Sequence, residues 1–216
     1  MTGPKWLYLH GFASGPESGK GRATRDHFAA RGVTVERLDL RVPSFEHLRF
    51  SAMMDTTIAA IGGARDRAIL FGSSFGGLTA ARVAERDPRV CALVLLAPAF
   101  RMAERWRARM KAEEWDAWRA TGWLEVDDYA RGGKSRIDFA FIEELDRLDQ
   151  GWPDVRVPTL IVHGTQDDVV DPALSATWAA DKPWVRRIEV PDGHELGASI
   201  FVIQKEAEKF LCNFMR

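Results

Sequence analysis

The residues best suited to do chemistry in this 216-residue chain lie in the stretch AILFGSSFGGLTAARVAER, residues 68–86. A serine hydroxyl becomes a useful nucleophile only when a base takes its proton and a third group holds that base in place. Ser74 has the setting for such a role. Gly72-Ser73-Ser74-Phe75-Gly76 fits the pattern Gly-x-Ser-x-Gly, with an apolar run before it and a helical pattern after it. A strand that passes straight into a helix needs a turn too tight for ordinary side chains, and Gly72, Gly76 and Gly77 supply the room. The pentapeptide alone arises by chance in about one chain in ten of this length, so the flanking elements decide its meaning. Ser73 fails the spacing, because residue 71 is Phe where a glycine is needed.

Five histidines compete for the role of base. His27 and His47 fall in helical patterns and are expected to face solvent. His10 and His163 each end a strand and precede glycine, in YLHG and IVHG, which suits loop shaping. His194, in EVPDGHELG, follows the last strand, so its loop points over the same sheet edge as Ser74 and makes it the expected base. The orienting carboxylate is expected in TLIVHGTQDDVVDP. Asp171 reads as a helix cap before Pro172. Asp167 is preferred over Asp168 because His-Gly-x-x-Asp returns a carboxylate to the sheet edge, and Asp192 is a third candidate. An oxyanion would be received by the N–H of Phe75, after the nucleophile. A second donor is expected in the loop after the first strand, from Phe12 with Ala13 as the alternative; Gly11 lets that loop approach.

These residues need a scaffold that brings loop ends together. Strands are expected over 6–10, 33–38, 68–71, 90–96, 159–162 and 185–190, with helices over 18–31, 46–62, 76–86, 172–181 and 195–214. Their alternation predicts an α/β architecture, a mostly parallel sheet of about six strands with helices on both faces. One segment breaks the rhythm. Residues 100–152 hold five of the eight tryptophans and read as a small helical cap with a hairpin around Tyr129–Phe139, inserted in a single domain spanning 1–216. Trp106 and Trp123 are the expected substrate contacts, unless the tryptophans only build the cap's own core. Arg101, Arg105 and Arg109 recur at helical spacing, as a basic rim for carboxylated substrates or as a solvated stripe.

A formal net charge of −1 disfavours general binding to nucleic acid. Lys20, Arg22, Arg25 and Arg31 read as the solvated face of a helix. No apolar run approaches the ~20 residues of a membrane span, and the first run is too short for a signal-peptide core, so a cytoplasmic location is expected. Cys91 and Cys212 are both expected to be buried, with no disulfide and no metal site between them.

Taken together, YLHGF near the start, GSSFGG, HGTQDDVV and DGH make the chain resemble the α/β-hydrolase superfamily, in particular its small bacterial serine esterases and acyl thioesterases. The resemblance implies an α/β-hydrolase fold with Ser74, Asp167 and His194 as the triad and Phe12 and Phe75 at the oxyanion hole. The implied activity is hydrolysis of a small-molecule ester or thioester through an acyl-enzyme, with no cofactor. Two other readings stand beside it: a serine peptidase, and a binding protein for small hydrophobic ligands on a hydrolase scaffold.

Overall fold

The computed structural model describes residues 3–215. The chain opens with β1 (Lys5–Leu9), α1 (Gly19–Ala29), β2 (Val35–Leu38), α2 (Phe50–Ile61), β3 (Ala68–Ser73), α3 (Phe75–Arg86) and β4 (Val90–Leu96). An insertion follows, made of α4 (Met102–Arg109), α5 (Ala112–Thr121), the antiparallel pair β5 (Trp123–Asp128) and β6 (Gly133–Asp138), and α6 (Phe139–Leu148). The chain then adds β7 (Thr159–Gly164), α7 (Pro172–Ala179), β8 (Val185–Val190) and α8 (Ile200–Leu211). Six strands form one parallel sheet in the order β2-β1-β3-β4-β7-β8.

The period of two along each strand sorts the core into two layers. Leu7, Leu9, Leu70, Leu93 and Leu95 point to one face, where they meet Phe50 and Met53 of α2 and Leu78 of α3. Trp6, Tyr8, Ile69, Phe71 and Val94 point to the other, against Phe28 of α1 and Ile203, Ala207 and Leu211 of α8. Strands buried on both sides read as unbroken apolar runs, which is why β3 and β4 are the plainest in the sequence. Asp171 caps α7 through the N–H of Ala173 at 2.8 Å, with Pro172 in the first turn.

The insertion is fastened to the sheet layer by charge. Arg82 of α3 is 4% exposed and donates to Asp149 at 2.9 Å and to the carbonyls of Gln150 and Gly151, while the other Asp149 oxygen accepts the N–H of Met102 at 3.2 Å. Both ends of the insertion therefore meet on one buried ion pair. The hairpin is held by Arg41 on Asp128, at 2.8 and 2.7 Å, and by Arg49 on Asp138, at 2.7 and 2.8 Å.

Several expectations change. The hairpin spans Trp123–Asp138, wider than Tyr129–Phe139. The second helix begins at Phe50, so His47 lies in an exposed turn, where it bonds Asp138. The last helix begins at Ile200, because residues before it are drawn into a loop by Asp192, whose carboxylate accepts the N–H groups of Gly193 and Ser199. His27 is mostly buried, not solvent-facing, and bonds Glu208 of α8. Cys91 is buried, but Cys212 is exposed, because the chain leaves α8 into a surface 3-10 turn.

Candidate active site

Sheet order dictates where the site lies. The winding reverses between β1 and β3, so the loops after those two strands diverge and leave a crevice at their C-terminal ends. Ser74 stands in that crevice as the single residue between β3 and α3. Its φ of 54° is in the left-handed region, a strained conformation for a residue with a Cβ, and it turns the hydroxyl out of the sheet. Neighbouring backbones are packed too closely for side chains: a Cβ on Gly72 would fall 2.4 Å from the Gly76 carbonyl oxygen, and one on Gly76 would fall 2.2 Å from that of Leu9. A Cβ on Gly77 would fall 3.1 Å from Pro98. The Ser74 backbone is pinned by its N–H on Leu96 and by its carbonyl, which accepts from Gly77, Leu78 and Ala99.

His194 and Asp167 arrive from the loops after β8 and β7. The two loops are locked together, since the N–H of Gln166 donates to the Asp192 carbonyl at 3.0 Å. Asp167 Oδ2 lies 2.8 Å from His194 Nδ1, and His194 Nε2 lies 3.0 Å from Ser74 Oγ. An ionised carboxylate only accepts, so Nδ1 carries the hydrogen, and in the neutral ring Nε2 is left to accept the serine proton. Asp168 is exposed, and Asp192 serves the loop through backbone contacts, so of the three candidate acids only Asp167 meets the histidine.

The Asp167 side chain is fully buried. Burial works to raise its pKa, but hydrogen bonds from His163, His194 and the Val170 N–H outweigh it and hold the carboxyl well below the usual carboxylate range. His163 is a partner that sequence reading assigned only to loop shaping. Its Nε2 lies 3.1 Å from Asp167 Oδ2 and 3.0 Å from the Val170 carbonyl, and its Nδ1 lies 2.8 Å from the Ser175 hydroxyl. The His-Gly-x-x-Asp spacing was the available signal for this contact. His10 does shape its loop, with Nδ1 on the Gly11 carbonyl and Nε2 accepting the N–H of Leu40. Lys20 also departs from expectation: its side chain is 12% exposed, and its amine donates to the Glu195 carbonyl at 2.9 Å, beside His194.

Phe75 opens α3, so its N–H lies in the first turn, outside the helical ladder. Neither Phe12 nor Ala13 finds a backbone acceptor for its N–H among the described residues. The Phe12 side chain lines a cavity of about 290 Å³ with Ser74. The insertion supplies the opposite wall through Met102, Arg105, Trp106, Arg109 and Met110. Trp106 meets Phe12 edge to face at 5.1 Å. Trp123 does not join it. Its ring packs on His47 and beneath the Arg136 guanidinium, because it starts the hairpin on the insertion's far side. Trp115 and Trp118 pack on each other and on Phe139, forming core within the insertion.

Residues 5–209 match the model of an uncharacterised protein family, UPF0227. No curated protein matches the sequence significantly. Among solved structures, the chain is similar to alpha/beta hydrolase domain-containing protein 10 from mouse, at 21% identity, TM-score 0.81, covering 99% of this chain and 92% of that one. It is also similar to Est1E from Butyrivibrio proteoclasticus with ferulic acid bound, at 20% identity and TM-score 0.83, over 98% and 89% of the two chains. A third is the monoacylglycerol lipase of Paleococcus ferrophilus, at 18% identity and TM-score 0.77, over 98% and 96%. At these identities the likeness establishes the fold. Among the described residues no helix is long and apolar enough to cross a membrane.

Proposed function

Because the chain belongs to the uncharacterised protein family UPF0227 and has the α/β-hydrolase fold, we propose that it is a serine hydrolase that cleaves carboxylic esters or thioesters through an acyl-enzyme on Ser74. The observation that carries this reading is the unbroken line of hydrogen bonds from Ser74 Oγ through His194 to the buried Asp167. As Oγ attacks the substrate carbonyl, its proton passes to His194 Nε2 and an Oγ–C bond forms. Negative charge that develops on the carbonyl oxygen is received by the N–H groups of Phe75 and Phe12, each such donor contributing about 3 kcal/mol to transition-state stabilisation. Collapse breaks the C–O or C–S bond, and His194 returns its proton to the leaving atom. Water then attacks the acyl-enzyme, losing a proton to the same nitrogen; the Oγ–C bond breaks, His194 returns that proton to Oγ, and the acid leaves. Asp167 holds the imidazole with its Nε2 lone pair toward Ser74 and stabilises the imidazolium that forms twice per cycle.

The cavity of about 290 Å³ is at the small end of ligand pockets and mostly apolar, which favours short acyl or aryl groups. Est1E with ferulic acid bound and a monoacylglycerol lipase on the same scaffold support ester chemistry as the starting point for a substrate search. The test is intact mass after incubation with a fluorophosphonate, on wild type, Ser74→Ala and His194→Ala. Single labelling of the wild type alone is the expected result. Labelling that survives Ser74→Ala moves the nucleophile elsewhere. No labelling of folded wild type overturns the reading in favour of a ligand-binding protein.

A further inference from the structure

The cavity that contains Ser74 is apolar except for two arginines that its chemistry, as described above, does not use. Met102, Arg105, Trp106 and Arg109 share one face of α4, at spacings of three and four, and all four line the cavity. Several arginines elsewhere whose side chains are mostly buried are matched with carboxylates: Arg41 with Asp128, Arg49 with Asp138, Arg82 with Asp149 and Arg89 with Asp87. Arg105 and Arg109 are not. Among the described residues Arg105 donates only to the carbonyl of Val169, and Arg109 only to that of Asp168 at 2.9 Å. Each guanidinium carries five N–H donors in a planar fork, so both keep most of their hydrogen-bonding capacity free. Two like charges one helical turn apart also repel each other. Burial, and then the neighbouring Arg109, lower the pKa of Arg105 against the smaller opposing pull of Asp167 and Asp171.

Their anchors place them beside the reacting centre. Asp168 and Val169 immediately follow Asp167, so the guanidinium groups lie over the loop that carries the triad acid. Val169 and Val170 line the same cavity as Ser74. An anion held there would be separated from the scissile carbonyl by a short apolar span packed on Met102 and Trp106.

We infer that this pocket selects esters or thioesters that carry a carboxylate at the far end of a short apolar segment, bound by Arg105 and Arg109. The inference rests on the serine-hydrolase reading and narrows its substrate class. Charge-assisted hydrogen bonds of this kind correspond to a preference on the order of 10- to 100-fold.

Two matched pairs of esters test it and distinguish which side of the ester carries the charge. Mono-4-nitrophenyl adipate is compared with 4-nitrophenyl heptanoate for an anionic acyl group. Butyrate esters of 4-hydroxybenzoate and 4-hydroxybenzamide are compared for an anionic leaving group. In the wild type, kcat/KM should favour the anionic member of at least one pair at low salt, mainly through KM, and the preference should shrink as salt is raised. The ratio should fall toward one in Arg105→Gln and further in Arg105→Gln/Arg109→Gln. Each ratio is internal to one variant, so a partial folding defect cancels. Ratios at or below one in both pairs for the wild type, or a preference that survives both substitutions, overturn the inference while ester hydrolysis stands. Failure to turn over any of the four esters, with no fluorophosphonate labelling, overturns the serine-hydrolase reading itself and this inference with it.

Discussion

Replacing Asp167 by Asn changes one atom and should remove nearly all activity, for a reason visible in the hydrogen bonds around it. Four donors converge on the carboxylate: the N–H groups of Val169 and Val170 on Oδ1 at 2.9 and 2.7 Å, and His194 and His163 on Oδ2 at 2.8 and 3.1 Å. An amide offers one acceptor and one donor group. The two backbone N–H groups cannot become acceptors, so the amide oxygen must face them and its NH₂ must face the histidines. His163 can keep its Nε2 hydrogen on the Val170 carbonyl at 3.0 Å, but His194 can answer an N–H donor only by moving its own hydrogen to Nε2. That hydrogen then points at Ser74, and the base has no lone pair where the proton must go. A wrong tautomer of this kind costs about 10⁴ in kcat, or roughly 5.5 kcal/mol of barrier. The assay is kcat and KM on 4-nitrophenyl butyrate, with a thermal melt to establish that the variant is folded. A folded Asp167→Asn that loses less than about tenfold in kcat would refute the tautomer reasoning. Asp168→Asn, one residue away and exposed, should keep the wild-type rate.

Three other expectations follow from geometry and charge. Since the folded-state pKa of Asp167 is depressed, its stabilisation is full above the unfolded carboxylate value and is lost as pH falls through the folded one; the gap in Tm between wild type and Asp167→Asn should therefore narrow from pH 6 toward pH 3. Removing one partner of the buried Arg82–Asp149 pair, as Arg82→Met or Asp149→Leu, should cost about 3–5 kcal/mol, or roughly 6–20 °C in Tm. The double variant should recover much of that loss in the same melts, and additive losses would contradict the pairing. Gly76→Ala should yield little folded protein by soluble expression and circular dichroism, because its Cβ meets backbone oxygens of Leu9 and His10 at 2.2 and 2.5 Å. Gly77→Ala, with contacts of 3.1 Å, should be milder.

The parts of this molecule that were legible in its sequence are those decided locally. An apolar run bounded by polar residues is a buried strand wherever it lies, so β4 falls where the pattern puts it. The glycines around Ser74 announce a bend that only a strand-to-helix junction requires. Once the sheet is parallel, its loop ends share one edge, and Ser74, Asp167 and His194 are within reach of one another by topology alone. What escaped the reading depends on partners remote in the chain. Lys20 is drawn inward by a carbonyl 175 residues away, and His27 by Glu208, 181 residues away. Trp123 and Trp106 are equally aromatic and equally close to the inserted helices, yet one pairs with His47 and the other with Phe12. No local pattern separates them, because the difference lies in which way the hairpin and α4 face after folding. His163 was hidden by its own burial, since a strand-end histidine before glycine looks alike whether its ring meets a carbonyl or the Asp167 carboxylate.

The fastening of the insertion bears on motion. Arg82 closes both of its ends on one buried pair, and paired arginine forks grip the hairpin at Asp128 and Asp138. Swinging that segment away from the crevice would break several buried and half-buried charge contacts at once, so it should behave as a wall and not as a lid. A substrate of the proposed reaction should therefore meet a doorway of fixed width. Turnover should begin without a lag and should not jump when a poorly soluble ester passes from solution into droplets. On the hydrolase reading, bulky or branched esters should be turned away at the threshold by shape, before any bond is at stake.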